Sequence, residues 1–268
     1  MKNFIPALCI VSLFFSCNPA ADHSKVKAKD SLQYLLNDLR DSIKKHPGEP
    51  RPWYVLALTL QNAGRYHEAL SALDSMNTRP DSADPYLLYD YLFKKAELLE
   101  ITGDTANAIG TLEKFVTPGE LTEAGLRLAH LYAETKNPKT IPFCDLMIKN
   151  DRTGKDPNPV YLKGVYYYNT DDYSKAMAAF DECIQKDYTF IDAYMEKGRI
   201  LFKQKNYTEA IKVYDLAITI SNQFADAYLW KGRCQEALGQ KQEAKLNYLR
   251  AFGLDKTLKE AKEAADKL

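Results

Sequence analysis

The sequence predicts an all-α fold made of stacked helical hairpins, and three observations lead to this prediction. A pattern of 34 residues is written twice in residues 191–258. Two marker positions stay 12 residues apart in each of six consecutive segments between residues 50 and 256. Apolar residues within the segments recur at the i, i+3, i+4 spacing of an amphipathic helix. A fixed period of this length indicates units that bury their apolar faces against one another.

The duplicated pattern has a physical reason. Numbered from Ile191, position 8 lies on a first helix, A, and position 20 lies on a second helix, B, where the two come closest. Only a small residue permits that approach without overpacking. Position 27 faces helix A of the next unit, and positions 4, 11 and 24 carry large side chains. The two copies align Tyr194, Gly198, Tyr207, Ala210, Tyr214 and Ala217 with Tyr228, Gly232, Lys241, Ala244, Tyr248 and Ala251.

A 34-residue period with a small residue at position 8 and alanines at positions 20 and 27 resembles the tetratricopeptide repeat (TPR). The resemblance implies a right-handed α-solenoid of about six helix-turn-helix units, preceded by one helix and closed by a capping helix at residues 257–268. It extends across most of the chain. The six units are predicted at residues 50–83, 89–121, 122–156, 157–190, 191–224 and 225–256.

The third unit departs from the pattern. Gly125 stands at position 4, where the other units carry a large side chain, and Ile141 stands at position 20. Pro138 and Pro142 flank the start of its helix B. Because proline is tolerated only in the first turn of a helix, this helix is expected to start late.

The N-terminus reads as a targeting segment. Lys2 precedes an apolar run at residues 4–15 that is too short to span a bilayer as a helix. The run ends in Ser16-Cys17, which resembles a bacterial lipoprotein signal, and the resemblance implies cleavage before Cys17 and attachment of lipid to it. An ordinary signal peptide and an uncleaved anchor are the alternatives. Asn18, in place of the aspartate that signals inner-membrane retention, favours the outer membrane.

The segments on either side of the repeats complete the domain organisation. Residues 1–16 form the signal peptide, and residues 17–30 are polar and are expected to form a flexible tether. Residues 31–49 carry leucines at helical spacing and predict an N-terminal helix that stacks on the first unit.

Composition argues against several classes of function. Lys+Arg and Asp+Glu both total 36, so the formal net charge is zero, whereas nucleic-acid binding usually needs a basic surface. The four histidines show no metal-ligand spacing, and no nucleophile motif or phosphate loop is present, so we expect no metal, no cofactor and no enzymatic activity. Cys144, Cys183 and Cys234 lie in helical patterns and are expected to be packed thiols, with a disulfide as the alternative.

The TPR resemblance implies a ligand groove lined by helix A at positions 2, 5, 9, 12 and 13. In the fourth to sixth units these positions are aromatic and basic, the residue types enriched at binding hot spots. The predicted groove residues are Tyr161, Tyr168, Asn169, Met195, Arg199, Phe202, Lys203 and Arg233. The alternative is that the tyrosines only pack within the fold and the arginines are solvated.

These features together predict a non-enzymatic protein-protein interaction scaffold. It would be lipid-anchored in the bacterial cell envelope, periplasm-facing and more consistent with the outer than the inner membrane. Its partner would be an unidentified protein or peptide of the envelope, with no nucleic acid and no membrane contact besides the lipid. The alternative function is an envelope glycan-binding accessory protein whose tyrosines stack on sugars.

Overall fold

The computed structural model describes the backbone of residues 20–77 and 85–268, with side chains for residues 31–76 and 88–268. Within these residues the protein contains fourteen helices and no strand, so the predicted all-α class is confirmed. One helix is followed by six helix pairs and a single last helix. The helices are α1 (Ala20–Lys45), α2 (Pro50–Asn62), α3 (Tyr66–Asn77), α4 (Pro85–Ile101), α5 (Thr105–Leu112), α6 (Glu123–Glu134), α7 (Thr140–Asn150), α8 (Asn158–Asn169), α9 (Tyr173–Lys186), α10 (Ile191–Lys203), α11 (Tyr207–Ile220), α12 (Ala225–Ala237), α13 (Lys241–Leu254) and α14 (Lys259–Lys267).

The chain forms an N-terminal body, Met1–Asp104, and a C-terminal body, Thr105–Leu268. In the N-terminal body α1 packs on α2, α2 pairs with α3, and α3 contacts α4. In the C-terminal body α8 pairs with α9, α10 with α11 and α12 with α13, and each second helix packs on the first helix of the next pair. The last helix, α14, covers α13. We number the six helix pairs repeats 1 to 6 and call their helices A and B.

The hairpins of repeats 4 to 6 depend on a glycine that faces an aromatic ring. A Cβ atom added to Gly164 would lie 2.5 Å from Phe180 Cε1, and one added to Gly232 would lie 2.8 Å from Tyr248 Cδ1. At Gly198 the added atom would overlap the Tyr214 ring. The three rings are essentially buried. Helices A and B therefore approach until the ring of position 24 rests on the backbone of position 8.

The first two repeats carry alanine at position 8 and leucine at position 24 in place of glycine and an aromatic residue. In repeat 1, Ala57 stands at position 8 and Leu73 at position 24, and both are fully buried in one core. Repeat 2 has the same Ala and Leu combination in its sequence, at residues 96 and 112. A larger residue at position 8 thus accompanies a smaller one at position 24. This exchange keeps the volume between the helices similar, which packed interiors tolerate best.

A lysine near the middle of helix A links successive repeats by ion pairs. Lys163 Nζ lies 2.7 Å from Asp145 Oδ1, and Lys231 Nζ lies 2.6 Å from Asp215 Oδ1. Lys197 pairs with Asp181 in the same way, and within the N-terminal body Lys95 pairs with Asp74. The lysines stand at position 7 and the aspartates on the preceding helix B. Each pair contributes little by itself because the aspartates are about half exposed, but the repeated pairing disfavours a shifted stacking register.

Gly125, at position 4 of the third repeat, lies in a closely packed place. A Cβ atom there would lie 2.6 Å from the Glu120 carbonyl oxygen and 2.9 Å from Met147 Cε. The glycine therefore permits close packing, and Met147, which is fully buried, fills the place of the large side chain at position 4. Helix α7 begins at Thr140, so Pro142 falls in its first turn, where the missing N–H is tolerated.

The N-terminal helix is longer than predicted. Helix α1 begins at Ala20 rather than near residue 31, so the prediction of a flexible tether is wrong from residue 20 onward. No glycine or proline interrupts residues 20–45, and alanine and lysine favour helix there. Cys17 and the predicted signal peptide at residues 1–16 lie outside the described residues. No helix among the described residues is long and apolar enough to cross a membrane.

The three repeat cysteines are packed thiols, as predicted. Cys144, Cys183 and Cys234 are free and fully buried. Burial raises the pKa of each thiol to about 12, because the apolar surroundings disfavour the thiolate. Cys183 stands at position 27, where its small size allows the next helix A to pack closely.

We predict that Gly198→Ala lowers the free energy of unfolding by about 1–3 kcal/mol, because the added methyl group meets the Tyr214 ring. Gly253→Ala is the matched control, since no heavy atom lies within 4 Å of its added Cβ and alanine favours helix by about 1 kcal/mol. Urea titration followed by circular dichroism measures both. Gly198→Ala combined with Tyr214→Leu recreates the pair of repeats 1 and 2 and should recover stability. Equal stability of the two single variants would show that the Tyr214 ring does not prevent a larger residue at position 198.

We also predict that the three repeat thiols resist alkylation in the folded protein. A pKa of about 12 lowers the thiolate fraction at pH 8 about a thousandfold relative to a free cysteine. Mass spectrometry after iodoacetamide treatment should find Cys144, Cys183 and Cys234 unmodified without urea and modified in urea. Rapid modification without urea, or a disulfide-linked pair of their peptides, contradicts the packing.

Candidate functional site

The first helices of repeats 4, 5 and 6 lie side by side in the C-terminal body, because α10 contacts both α8 and α12. Residues four apart on one helix project from nearly the same side. The side of these helices that carries Tyr161, Arg199 and Trp230 is called the A-helix face below. Six of the eight residues predicted for the groove form three groups on it, and the other two lie elsewhere.

The largest group is centred on Trp230, which was not among the predicted residues. Arg199 Cζ lies 5.4 Å and Arg233 Cζ lies 4.5 Å from the centroid of the indole ring. The Phe202 ring meets the indole edge-on at 5.5 Å between centroids, and the Tyr214 ring stacks on it at 6.4 Å. The indole thus joins α10, α11 and α12. Each cation over its ring contributes about 0.5–2 kcal/mol, depending on burial.

Both arginines of this group already have acidic partners. Arg199 Nη1 donates to Glu196 Oε1, and Arg233 Nη2 donates to Glu260 Oε2 at 3.0 Å. The Glu196 side chain is only 14% exposed, whereas Glu260 of α14 is 51% exposed. Burial raises the pKa of Glu196, and the Arg199 guanidinium opposes this shift. The predicted cations are therefore ordered by internal ion pairs rather than free in solvent.

A second group is formed by Lys203 and two tyrosines. Lys203 Nζ lies 5.0 Å from the ring centroids of both Tyr168 and Tyr173, and it donates to the Tyr173 hydroxyl at 2.8 Å. This hydrogen bond is the main cause that raises the pKa of Lys203. The ammonium group also lies 3.9 Å from Asp171 Oδ1. Lys203 is thus held over aromatic rings at the junction of repeats 4 and 5.

Tyr161 forms the third group, toward the third repeat. Its ring lies 5.7 Å from that of Phe180 and 5.1 Å from that of Phe190. Burial raises the pKa of Tyr161 well above its usual value, and the carboxylates of Glu196 and Asp192 raise it further. The tyrosine ring is thus held between two phenylalanines in a locally acidic part of the A-helix face.

Two of the predicted groove residues, Met195 and Asn169, lie outside these three groups. Met195 is 3% exposed and packs in the core formed by α10, α11 and α12, so the prediction that it offers apolar area to a ligand is wrong. Asn169 Nδ2 donates to the Ala133 carbonyl oxygen at 3.1 Å, near the end of α6. Asn169 therefore connects repeats 3 and 4.

Trp230 was not predicted as a groove residue because it stands at position 6, which is not among the groove positions that the TPR resemblance implies. A signal existed, since the chain contains only two tryptophans and this one precedes Arg233 by one turn. The glycan alternative loses its main support on this face. Stacking on a sugar requires an open ring face, but the rings of Tyr161 and Tyr168 already contact neighbouring aromatic and basic side chains.

Family models match the repeats of the C-terminal body. A TPR repeat model matches residues 198–239, and a tetratricopeptide repeat model matches residues 225–258. A model of subunit 3 of the anaphase-promoting complex matches residues 101–217. No curated protein matches the sequence.

Solved structures show the same fold. A tetratricopeptide repeat protein from Parabacteroides merdae superposes with a TM-score of 0.68 at 17% identity, covering 92% of this chain and 95% of that one. The C-terminal part of a TPR repeat-containing protein from Cytophaga hutchinsonii gives 0.53 at 16% identity, covering 88% and 95%. The Cut9–Hcn1 hetero-tetramer of the anaphase-promoting complex gives 0.54 at 16% identity, covering 89% and 46%. At these identities the similarity concerns the fold alone.

Proposed function

Because the chain is a tetratricopeptide-repeat protein, we propose that it is a non-enzymatic scaffold that binds a protein or peptide segment on the A-helix face of repeats 4 to 6. The Trp230 group is the observation that carries this proposal. A half-buried tryptophan with two arginines and a phenylalanine beside it has the composition of a binding hot spot. TPR repeats are interaction modules in general, and the composition of this group supports the proposal that the contact is made here.

The basic and aromatic residues of the A-helix face indicate which residue types the bound segment contains. Arg199, Lys203 and Arg233 occur along this face beside Phe202 and Trp230. An extended or helical segment with an acidic residue next to aromatic or aliphatic residues complements both features. Since the arginines already pair with Glu196 and Glu260, the ligand carboxylate joins or replaces these internal partners.

We place the scaffold in the bacterial cell envelope, anchored by lipid on Cys17 and facing the periplasm. The support is the pattern in residues 1–17, an apolar run that ends at Ser16-Cys17. Asn18 favours the outer over the inner membrane.

We predict that a photo-crosslinking amino acid in place of Tyr168 captures a partner protein in envelope preparations. Tyr188, which is 73% exposed in the turn between α9 and α10, is the control position. Replacing both Arg199 and Arg233 by Gln should weaken binding of the captured partner by about 2–5 kcal/mol if its charge pairs are desolvated.

Gln is preferred to Glu there because a second carboxylate beside the buried Glu196 would threaten the fold. The double variant Arg152→Gln and Arg250→Gln changes the net charge equally on exposed residues of the 151–157 loop and of α13. Unchanged affinity of the first double variant with normal circular dichroism, or capture only from Tyr188, contradicts the assignment of the A-helix face.

We predict that Cys17 is the mature N-terminus and carries lipid. Mass spectrometry of the protein purified from its native host tests this. A Cys17→Ser variant should lose membrane attachment. An unmodified Cys17, or cleavage beyond it, contradicts the lipoprotein assignment.

A further inference from the structure

Repeats 5 and 6 both carry arginine at position 9 and tyrosine at position 24, but they differ at position 12. Position 9 is Arg199 or Arg233, and position 24 is Tyr214 or Tyr248. In repeat 6, the hydroxyl of Tyr248 donates to Glu236 Oε2 at 2.5 Å, and Glu236 stands at position 12. Burial and the Glu236 hydrogen bond raise the pKa of Tyr248, and the Arg233 guanidinium opposes this shift. Repeat 6 thus supplies the phenol with a carboxylate from position 12 of its own helix A.

Repeat 5 lacks this carboxylate because its position 12 is Phe202. Tyr214 is fully buried, and its hydroxyl has no hydrogen-bond partner among the described residues. The same is true of Arg199 Nε, which is also buried. The two donors lie close together in the fold, because the Tyr214 hydroxyl oxygen is 2.9 Å from the place of a Cβ atom on Gly198, the residue next to Arg199. Two donors are therefore left without an acceptor, an arrangement that buried polar groups rarely keep.

We propose that the bound segment supplies this carboxylate, as an aspartate or glutamate side chain that accepts hydrogen bonds from the Tyr214 hydroxyl and from Arg199. The inference rests on the proposed function and assigns the ligand group and the atoms that bind it. Glu196 occupies only Nη1 of Arg199, so the guanidinium edge formed by Nε and Nη2 remains for a second carboxylate. Two parallel N–H···O bonds to one carboxylate are a favourable geometry for arginine.

Because Phe202 stands at position 12, where repeat 6 carries Glu236, we expect its ring to control access to these atoms. The Tyr214 hydroxyl and Arg199 Nε are sealed from solvent, and the Phe202 ring lies against Trp230 and Tyr207. The ligand carboxylate reaches the two donors when the Phe202 ring turns away, because position 12 is where repeat 6 holds its own carboxylate. Ligand binding therefore changes the surroundings of the Trp230 indole.

The comparison of repeat 5 with the Tyr248–Glu236 hydrogen bond of repeat 6 can be tested without a ligand. Phe202→Glu recreates the residues of repeat 6 within repeat 5. Tyr214→Phe in the parent protein removes an unpaired hydroxyl and should leave the urea midpoint unchanged or raise it. In the Phe202→Glu background the same substitution removes a hydrogen bond and should lower the midpoint. Tyr188→Phe, on an exposed tyrosine, is the control and should change neither background. If Tyr214→Phe shifts the urea midpoint in the same direction in both backgrounds, a carboxylate at position 12 does not pair with Tyr214, and the comparison with repeat 6 is wrong.

Ligand chemistry is tested with three probes of similar shape, namely phenylacetate, phenylacetamide and phenethylamine. Trp53→Phe leaves Trp230 as the only tryptophan, so its fluorescence reports on this site. Phenylacetate should give a saturable change with roughly millimolar affinity, as expected for so small a ligand. The amide and the amine should bind at least about tenfold more weakly, because the hydrogen bonds lose their charge. In the same background, Tyr214→Phe should weaken phenylacetate binding, and Phe202→Glu should abolish it.

The inference is overturned if phenylacetate does not bind, if the amide or the amine binds equally well, or if Tyr214→Phe leaves its affinity unchanged. The proposed function fails separately, when the partner captured through Tyr168 binds the Arg199→Gln and Arg233→Gln double variant normally. A partner that needs both arginines but does not respond to Tyr214→Phe supports the scaffold and contradicts this docking site.

Discussion

The contact between a glycine of helix A and an aromatic ring of helix B sets the geometry of repeats 4 to 6. Gly164, Gly198 and Gly232 leave room for the rings of Phe180, Tyr214 and Tyr248, which lie where a Cβ atom would be. Because the ring rests on the backbone, the distance between the two helices is fixed by aromatic thickness rather than by flexible side chains. The width of the hairpin determines where the next helix A packs. It thereby also positions the lysine–aspartate pairs between repeats.

The same contact connects the fold to the candidate site. The Tyr214 ring packs on Gly198 and also stacks on Trp230, so the residue that fixes the hairpin also supports the indole. Trp230 in turn lies beside Arg199 from α10 and Arg233 from α12. The Trp230 group is therefore held by the packed interior of α10, α11 and α12 rather than by a loop. A preordered group of this kind reduces the conformational entropy lost when a ligand binds.

The helix pairs could be predicted from the sequence because the spacing between positions 8, 20 and 24 is imposed by hairpin packing. The same spacing places Arg199, Phe202 and Arg233 near one another, and the structure brings them together around Trp230. Met195 was misplaced because periodicity alone does not tell a residue beside the neighbouring helix from one facing solvent. The Glu196–Arg199 pair has a recognisable i, i+3 spacing, whereas the Arg233–Glu260 pair depends on how α14 returns to α12. The unpaired hydroxyl of Tyr214 emerged only from the structure, because it depends on three-dimensional neighbours.

The claim that a partner binds through the Trp230 group is tested most directly by the indole N–H signals of the protein in a nitrogen–proton NMR spectrum. The chain has two tryptophans, Trp53 in α2 and Trp230 in α12, so two signals are expected and substitution assigns each. On addition of the partner segment, the account predicts that the Trp230 signal shifts while the Trp53 signal stays in place. A shift of the Trp53 signal alone, or binding that moves neither signal, would contradict it.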